Sequence, residues 1–296
     1  MSLPKVSIVV PTFNRPAALA TCLAACRCLD YPSDLIEIVV IDDGSAPPAH
    51  TGNGVRLVRQ QQRGPASARN RGIAEATGEV IVFTDDDCEP TPTWLRELVA
   101  AYVRDPDAIV GGITTNALEQ NPFASASQFL VDYVYSYFER SGESLRFFTS
   151  NNFGAATSGL RRIGGFDETF PLPAAEDRDL CERWGKLRLV PSAVVRHSHH
   201  LNFPSFWMQH FRYGRGAFTL WGRRGERGVQ RKLPSGDFFL GLVRAPFDDP
   251  GVQRPWQLLG LLLISQVANT AGILYEANLV ASQGRQSKNS RPDTHA

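Results

Sequence analysis

Val80-Ile81-Val82-Phe83-Thr84-Asp85-Asp86-Asp87 sets four uninterrupted apolar residues against three adjacent carboxylates. An apolar run this short, without alternation, reads as a strand buried on both faces. Helical patterns bracket it, over 66–77 with a closing Gly78 on one side and over 93–104 on the other. Upstream the arrangement repeats. Val6-Ser7-Ile8-Val9-Val10 stops at Pro11 and leads into a helical pattern over 16–28; Ile38-Val39-Val40-Ile41 stops at the turn cluster Asp42-Asp43-Gly44-Ser45; and 55–58 makes a further strand. Buried strands interleaved with helices predict an α/β fold with a mostly parallel, Rossmann-like sheet flanked by helices. Ligands of such sheets bind outside the carboxyl ends of the strands. Polar clusters follow the strands at 6–10, 38–41 and 80–83, so three strand ends point at one crevice.

The chain has 296 residues, enough for one large α/β domain with an appendage. Its 43% hydrophobic and 21% charged residues exclude a disordered or fibrous class. With 31 basic and 30 acidic side chains the net charge is +1, which argues against a nucleic-acid partner. Five cysteines follow no disulfide or zinc spacing and read as small buried hydrophobes of a reducing compartment. A strand beginning at Val6 leaves no room for a signal peptide, so the expected location is cytoplasmic.

Three neighbouring carboxylates repel one another unless a cation or hydrogen-bond donors compensate. On an extended strand end, Asp85 and Asp87 face the same side and offer two oxygen ligands at i and i+2. Hard oxygen ligands suit Mg²⁺ or Mn²⁺, whose shell phosphate oxygens commonly complete. Asp43 can accept from a ribose hydroxyl or a base N–H, and Phe13, beside Thr12 and Arg15, is available to stack on a base. Neither type of glycine-rich phosphate loop is present, which speaks against a dehydrogenase or a P-loop enzyme.

The second half is less regular. An aromatic-rich helix is predicted over 121–140, a short helix over 177–184 behind Glu176, and an aromatic helix over 204–221 carrying Gln209, Arg212 and Arg215. From Arg223 to Lys232 there are five basic residues and one acid, Glu226. Between Arg254 and Glu276 no residue is charged, and 258–264 is almost wholly aliphatic. Gln257, Gln266, Asn269 and Thr270 make a lone bilayer span expensive. A basic segment ahead of an apolar helix fits a peripheral anchor at the cytoplasmic face of the inner membrane. The same helix could instead pack on its own domain or on a second subunit of a homo-oligomer. The division expected is 1–225 for the α/β domain and 226–296 for a C-terminal helical tail.

Taken in order, Val9-Val10-Pro11-Thr12-Phe13-Asn14-Arg15, Ile41-Asp42-Asp43-Gly44-Ser45, Ala68-Arg69-Asn70-Arg71-Gly72, Phe83-Thr84-Asp85-Asp86-Asp87, Gly164-Gly165-Phe166-Asp167, Glu176-Asp177 and His197 resemble the family 2 nucleotide-sugar glycosyltransferases of GT-A fold. The resemblance implies a divalent metal held by Asp87, within a DxD motif, and by His197. It implies a donor-nucleotide site formed by Pro11, Thr12, Phe13, Arg15, Asp43, Arg69, Asp85 and Asp86, with Phe13 and Asp43 on the base and Asp85 near the ribose. Asp177 resembles the catalytic base, and Glu176 and Arg212 fall on the acceptor or diphosphate side. Gln209, Arg212 and Tyr213 are similar to the Gln-x-x-Arg-Trp signature of processive members, with Tyr in place of Trp.

The expected activity is therefore inverting transfer of a sugar from a nucleoside-diphosphate donor to a saccharide or lipid-linked acceptor. A sugar nucleotidyltransferase would use similar folds and metals but opens with a glycine-rich basic loop, and 11–16 contains no glycine. A catalytically inactive scaffold of the same fold is the other alternative.

Overall fold

The computed structural model describes residues 3–141, 145, 147–170, 174–229 and 235–289. Two compact units emerge, one formed by Met1–Thr169 with Glu176–Leu201, the other by Phe170–Ala175 with Asn202–Ala296. The boundary by packing thus lies at Leu201/Asn202.

The first unit is built on an eight-stranded sheet. Its strands are β1 (Val6–Thr12), β2 (Ile36–Asp42), β3 (Val55–Arg59), β4 (Val80–Phe83), β5 (Cys88–Pro90), β6 (Ile109–Asn116), β7 (Phe153–Ala156) and β8 (Leu187–His197), in the order β3-β2-β1-β4-β7-β6-β8-β5. The half from β3 to β4 is parallel, as its apolar runs predict. Beyond it β7 is antiparallel to both β4 and β6, β8 is parallel to β6, and β5 is antiparallel to β8.

Period two along β1 divides the core. Val6, Ile8 and Val10 pack with Leu19, Cys22 and Leu23 of α1 (Pro16–Arg27) and with Trp94, Leu95 and Leu98 of α3 (Trp94–Arg104). Val9 faces the other layer, with Ala68 and Ile73 of α2 (Pro65–Glu75), Leu160 of α5 (Thr157–Arg162), and Leu180 of α6 (Glu176–Trp184). Tyr135, from α4 (Pro122–Ser141), joins this second layer. Four of the five cysteines are buried as expected; Cys28 is exposed.

The second unit is helical: α7 (Phe203–Glu226), α8 (Gly236–Asp248) and α9 (Pro255–Asn289). A capping box starts α7, with the Asn202 side chain accepting from the Ser205 amide at 3.0 Å and the Ser205 hydroxyl accepting from the Asn202 amide at 2.8 Å. α7 and α9 run so close that a Cβ on Gly214 would stand 1.9 Å from the Asn269 carbonyl oxygen. Arg215 donates to Glu276 across this contact at 2.5 Å.

Candidate active site

The acidic triplet lies on the connection from β4 to β5, and each of its carboxylates has different partners. The extended geometry expected of it does not occur. The Cys88 amide donates to the Asp85 carbonyl at 3.1 Å, so Asp85–Cys88 is a tight turn, and the i, i+2 alternation argument does not apply. Asp85 accepts from Arg69 at 2.8 Å. Asp86 is buried beneath, accepting from the Thr12 hydroxyl at 2.7 Å and from Arg15 at 3.1 Å. Asp87 accepts from Arg15 at 2.7 Å and stands 3.2 Å from Nε2 of His197.

Strand register explains the last contact. β5 and β8 pair with Cys88 opposite His197, which sets the imidazole beside Asp87, and the Ser198 amide donates to the Asp87 carbonyl at 2.8 Å. No local pattern around 85–87 reveals this neighbour, since it depends on how far β8 runs before pairing. His199 stacks on His197 with ring centroids 4.8 Å apart.

Identical side chains titrate differently here because their partners differ. Burial pushes Asp86 up to about 6, helped by Asp87 and Asp85 and opposed by Thr12 and Arg15. For Asp87 burial acts upward as well, but the hydrogen bond and charge of His197, with Arg15, hold it down at about 2. His197 is raised, its burial outweighed by Asp87, whereas burial and the neighbouring His197 charge depress His199 to about 4.

Among the described residues, Asp87, Cys88 and His197 form a group whose ligand atoms lie within 4.8 Å of one another. The donor set fits a divalent ion of the Mn²⁺ type, with a carboxylate oxygen and an imidazole nitrogen already converged. Burial and the flanking carboxylates push the Cys88 thiol well up. Asp85 is not a member of the group.

Arg69, on α2, is buried and joins the triplet to α6. It donates to Asp85 at 2.8 Å and lies 3.4 Å from Glu176. Glu176 and Asp177 open α6, where the helix N-terminus favours negative charge. Burial and the Asp177 charge raise Glu176 to about 7 against the pull of Arg69, and burial also raises Asp177. One Glu176 oxygen, Oε2, is buried with no hydrogen-bond partner, as is Nε of Arg69. The bridge between Arg69 and Glu176 is absent from the sequence reading.

The remaining expected residues fall in three groups. Pro11 and Thr12 end β1, Pro11 in register with Ile41 and Thr12 with Asp42, and Phe13 follows with its ring partly exposed. Asp43 is engaged within its own loop, accepting from the Arg63 amide at 2.9 Å, the Gly64 amide at 2.8 Å and the Gln60 side chain at 2.8 Å. A cleft beside it is lined by Thr12, Asn14, Arg15, Ser45, Ala46 and Pro47 among others. Arg212 is exposed on α7, in the second unit.

Over 230 residues the chain is 28% identical to a pre-mycofactocin glycosyltransferase of Mycobacterium tuberculosis, covering 73% of this chain and 47% of the relative. It is 30% identical over 216 residues to a hyaluronan synthase of Pasteurella multocida, covering 58% of this chain and 22% of the relative. The chain thus spans about half, or less, of the length of these curated relatives. A mannosyltransferase from Pyrobaculum calidifontis, solved in complex with GDP-Man and Mn²⁺, superposes with a TM-score of 0.55 at 20% identity, over 97% of this chain and 81% of that one. At that identity the likeness speaks for a GT-A-type fold. The model of glycosyl transferase family 2 matches residues 7–169. This chain belongs to glycosyl transferase family 2.

Proposed function

We propose that the chain transfers a sugar, with inversion, from a nucleoside-diphosphate donor to a hydroxyl of a saccharide, free or lipid-linked. The observation that carries this reading is the pairing of an acidic strand-end turn with a second, separately tuned carboxylate pair through buried Arg69.

Asp87 and His197 would hold the divalent ion, which supplies charge neutralisation for the departing diphosphate. Arg15 and Arg69, already against the triplet, bring further positive charge to the donor side. Asp177 accepts the proton of the acceptor hydroxyl as its oxygen attacks the sugar C1. The bond from C1 to the diphosphate oxygen breaks in the same displacement, and the configuration at C1 inverts. A base whose pKa lies above the ordinary aspartate value accepts a proton more readily at neutral pH, and burial raises Asp177 in that direction. Glu176, beside it and near neutrality in its own titration, shares the site without adding a full second charge.

The test is calorimetric titration with UDP, GDP and dTDP, each with and without Mn²⁺, on the wild type and Asp87→Ala. Metal-dependent binding of one nucleotide, lost in the variant, is expected and names the base. Binding of none under either condition would overturn the donor site and favour the inactive scaffold. Release of pyrophosphate from a nucleoside triphosphate and a sugar phosphate would instead identify a nucleotidyltransferase.

A further inference from the structure

In α9 large apolar residues are exposed as well as buried. The side packed inward holds Leu262 and Ala268 but also Ser265 and Glu276, all buried, along with Gly272. The side facing out carries Trp256, Leu263, Val267 and Leu274, between 50% and 76% exposed. A soluble helix normally keeps such large apolar residues on its packed side. α8 continues the pattern with Phe239, Leu240, Val243 and Phe247, each more than 40% exposed, and the rings of Phe247 and Trp256 touch at 4.8 Å. The two outward stripes therefore join into one surface, larger than scattered exposed side chains would make.

Charge identifies what covers it. In residues 202–296 there are twelve Lys and Arg against six Asp and Glu, a net +6, while the rest of the chain, with 19 against 24, carries −5. Arg244 on α8 and Arg254 just before α9 are exposed next to the stripe, as are Asp248 and Asp249 between them. An apolar surface on a unit of net positive charge is complementary to a bilayer with anionic headgroups. We propose that α8 and the outer side of α9 dock this unit on an anionic membrane surface, with α9 lying along the interface. By length and composition Pro255–Gln283 could cross a bilayer. A crossing would carry the Arg215–Glu276 ion pair into hydrocarbon, whereas lying along the interface leaves that pair on the protein side.

This surface is independent of the transfer chemistry, so its failure leaves the proposed function untouched. The full chain is sedimented with vesicles of phosphatidylcholine alone and of phosphatidylcholine mixed with phosphatidylglycerol. Binding to the mixed vesicles, weak binding to the neutral ones, and a blue shift in tryptophan emission are expected. Trp256→Phe should keep the binding and lose most of the shift. Leu263→Asp combined with Leu274→Asp should reduce partitioning at least tenfold, and Arg244→Gln with Arg254→Gln by about tenfold or more. Circular dichroism of each variant checks that the helices persist. No binding to either vesicle overturns the proposal, as does binding unaffected by the two aspartates. So does a stable dimer in solution that those aspartates dissociate, which would assign the surface to a second copy.

Discussion

In the sheet unit Arg69, Asp86 and Glu176 are buried in contact with ionic or hydrogen-bonding partners, whereas in the helical unit Trp256, Leu263 and Leu274 face outward. Both arrangements run against the simple partition of polar outside and apolar inside, and each has a specific compensation. Burying a charge is tolerated where an opposite charge meets it, and exposing an apolar stripe is tolerated where another phase can cover it. If both proposals hold, the sheet unit's irregularities serve chemistry and the helical unit's serve location. Experiments that strip one compensation at a time can break this comparison.

The largest effect should come from Asp177→Asn. It leaves shape and hydrogen-bonding capacity almost unchanged while removing the proton acceptor, so turnover should fall about 10²- to 10⁴-fold. Calorimetric binding of the nucleotide should be retained, since Asp177 belongs to the acceptor side of the proposal. Loss of binding together with turnover would make it part of the donor pocket instead.

Arg69→Met tests the buried charges directly. It strands Asp85 and Glu176 without their shared cation, and breaking a buried pair in this way typically destabilises by about 3–5 kcal/mol. Urea unfolding should show that loss, and Glu176→Gln added to it should recover part, because one stranded carboxylate is then gone. The counterpart in the helical unit is Arg215→Met, which removes the partner of Glu276. Glu276 is about as buried as Glu176, but this change strands one acid where Arg69→Met strands two, so the cost should be smaller, about 1–3 kcal/mol. Equal costs would erase the distinction between the two units.

How much of this was legible in the sequence depends on what each feature needs. Strand β4 coincides with its apolar run, and β1 to β3 are found within one or two residues at each end, because a strand buried on both faces declares itself by composition. β5 to β8 went unread. β5 is three residues ending in proline, β7 is Phe-Gly-Ala-Ala, and β6 contains Gly111-Gly112, all poor strand signals. Their extended state comes from pairing in the sheet: a Cβ on Gly112 would sit 1.8 Å from the Ala193 carbonyl oxygen, so the glycine is required by a neighbour far along the chain. The site divides the same way. Asp85 to Asp87 and Glu176-Asp177 were legible as acidic clusters at element ends. The Arg69–Glu176 contact joins residues 107 positions apart and could be seen only in three dimensions.

A subtler test of the buried charges uses pH. Glu176 titrates at about 7 in the folded chain against an ordinary 4.5, chiefly from burial and then from Asp177. Between those values the folded state holds more protons than the unfolded state, so this residue makes stability fall as pH rises. Its contribution is fully present below pH 4.5 and is lost as pH climbs through 7. Asp86 and Asp177 are raised too and push the same way, so the informative quantity is the difference between the wild type and Glu176→Gln. That difference should slope downward across the window; a flat difference would mean Arg69 holds Glu176 ionised throughout.

The smallest effect concerns the start of the helical unit. Asn202→Ala removes the side-chain acceptor of the capping box, which should destabilise α7 by about 1 kcal/mol. If the outward stripe of α9 is held in place by packing against α7, this modest loss should appear as faster hydrogen exchange along α7 and α9 together. The Arg215–Glu276 ion pair and the close approach at Gly214 both lie on that contact, so fraying that begins at Asn202 is transmitted through it. Exchange confined to the first turn of α7 would show instead that the helix pair is held by its middle, where the charge pair and the glycine sit, and that the cap merely trims its end.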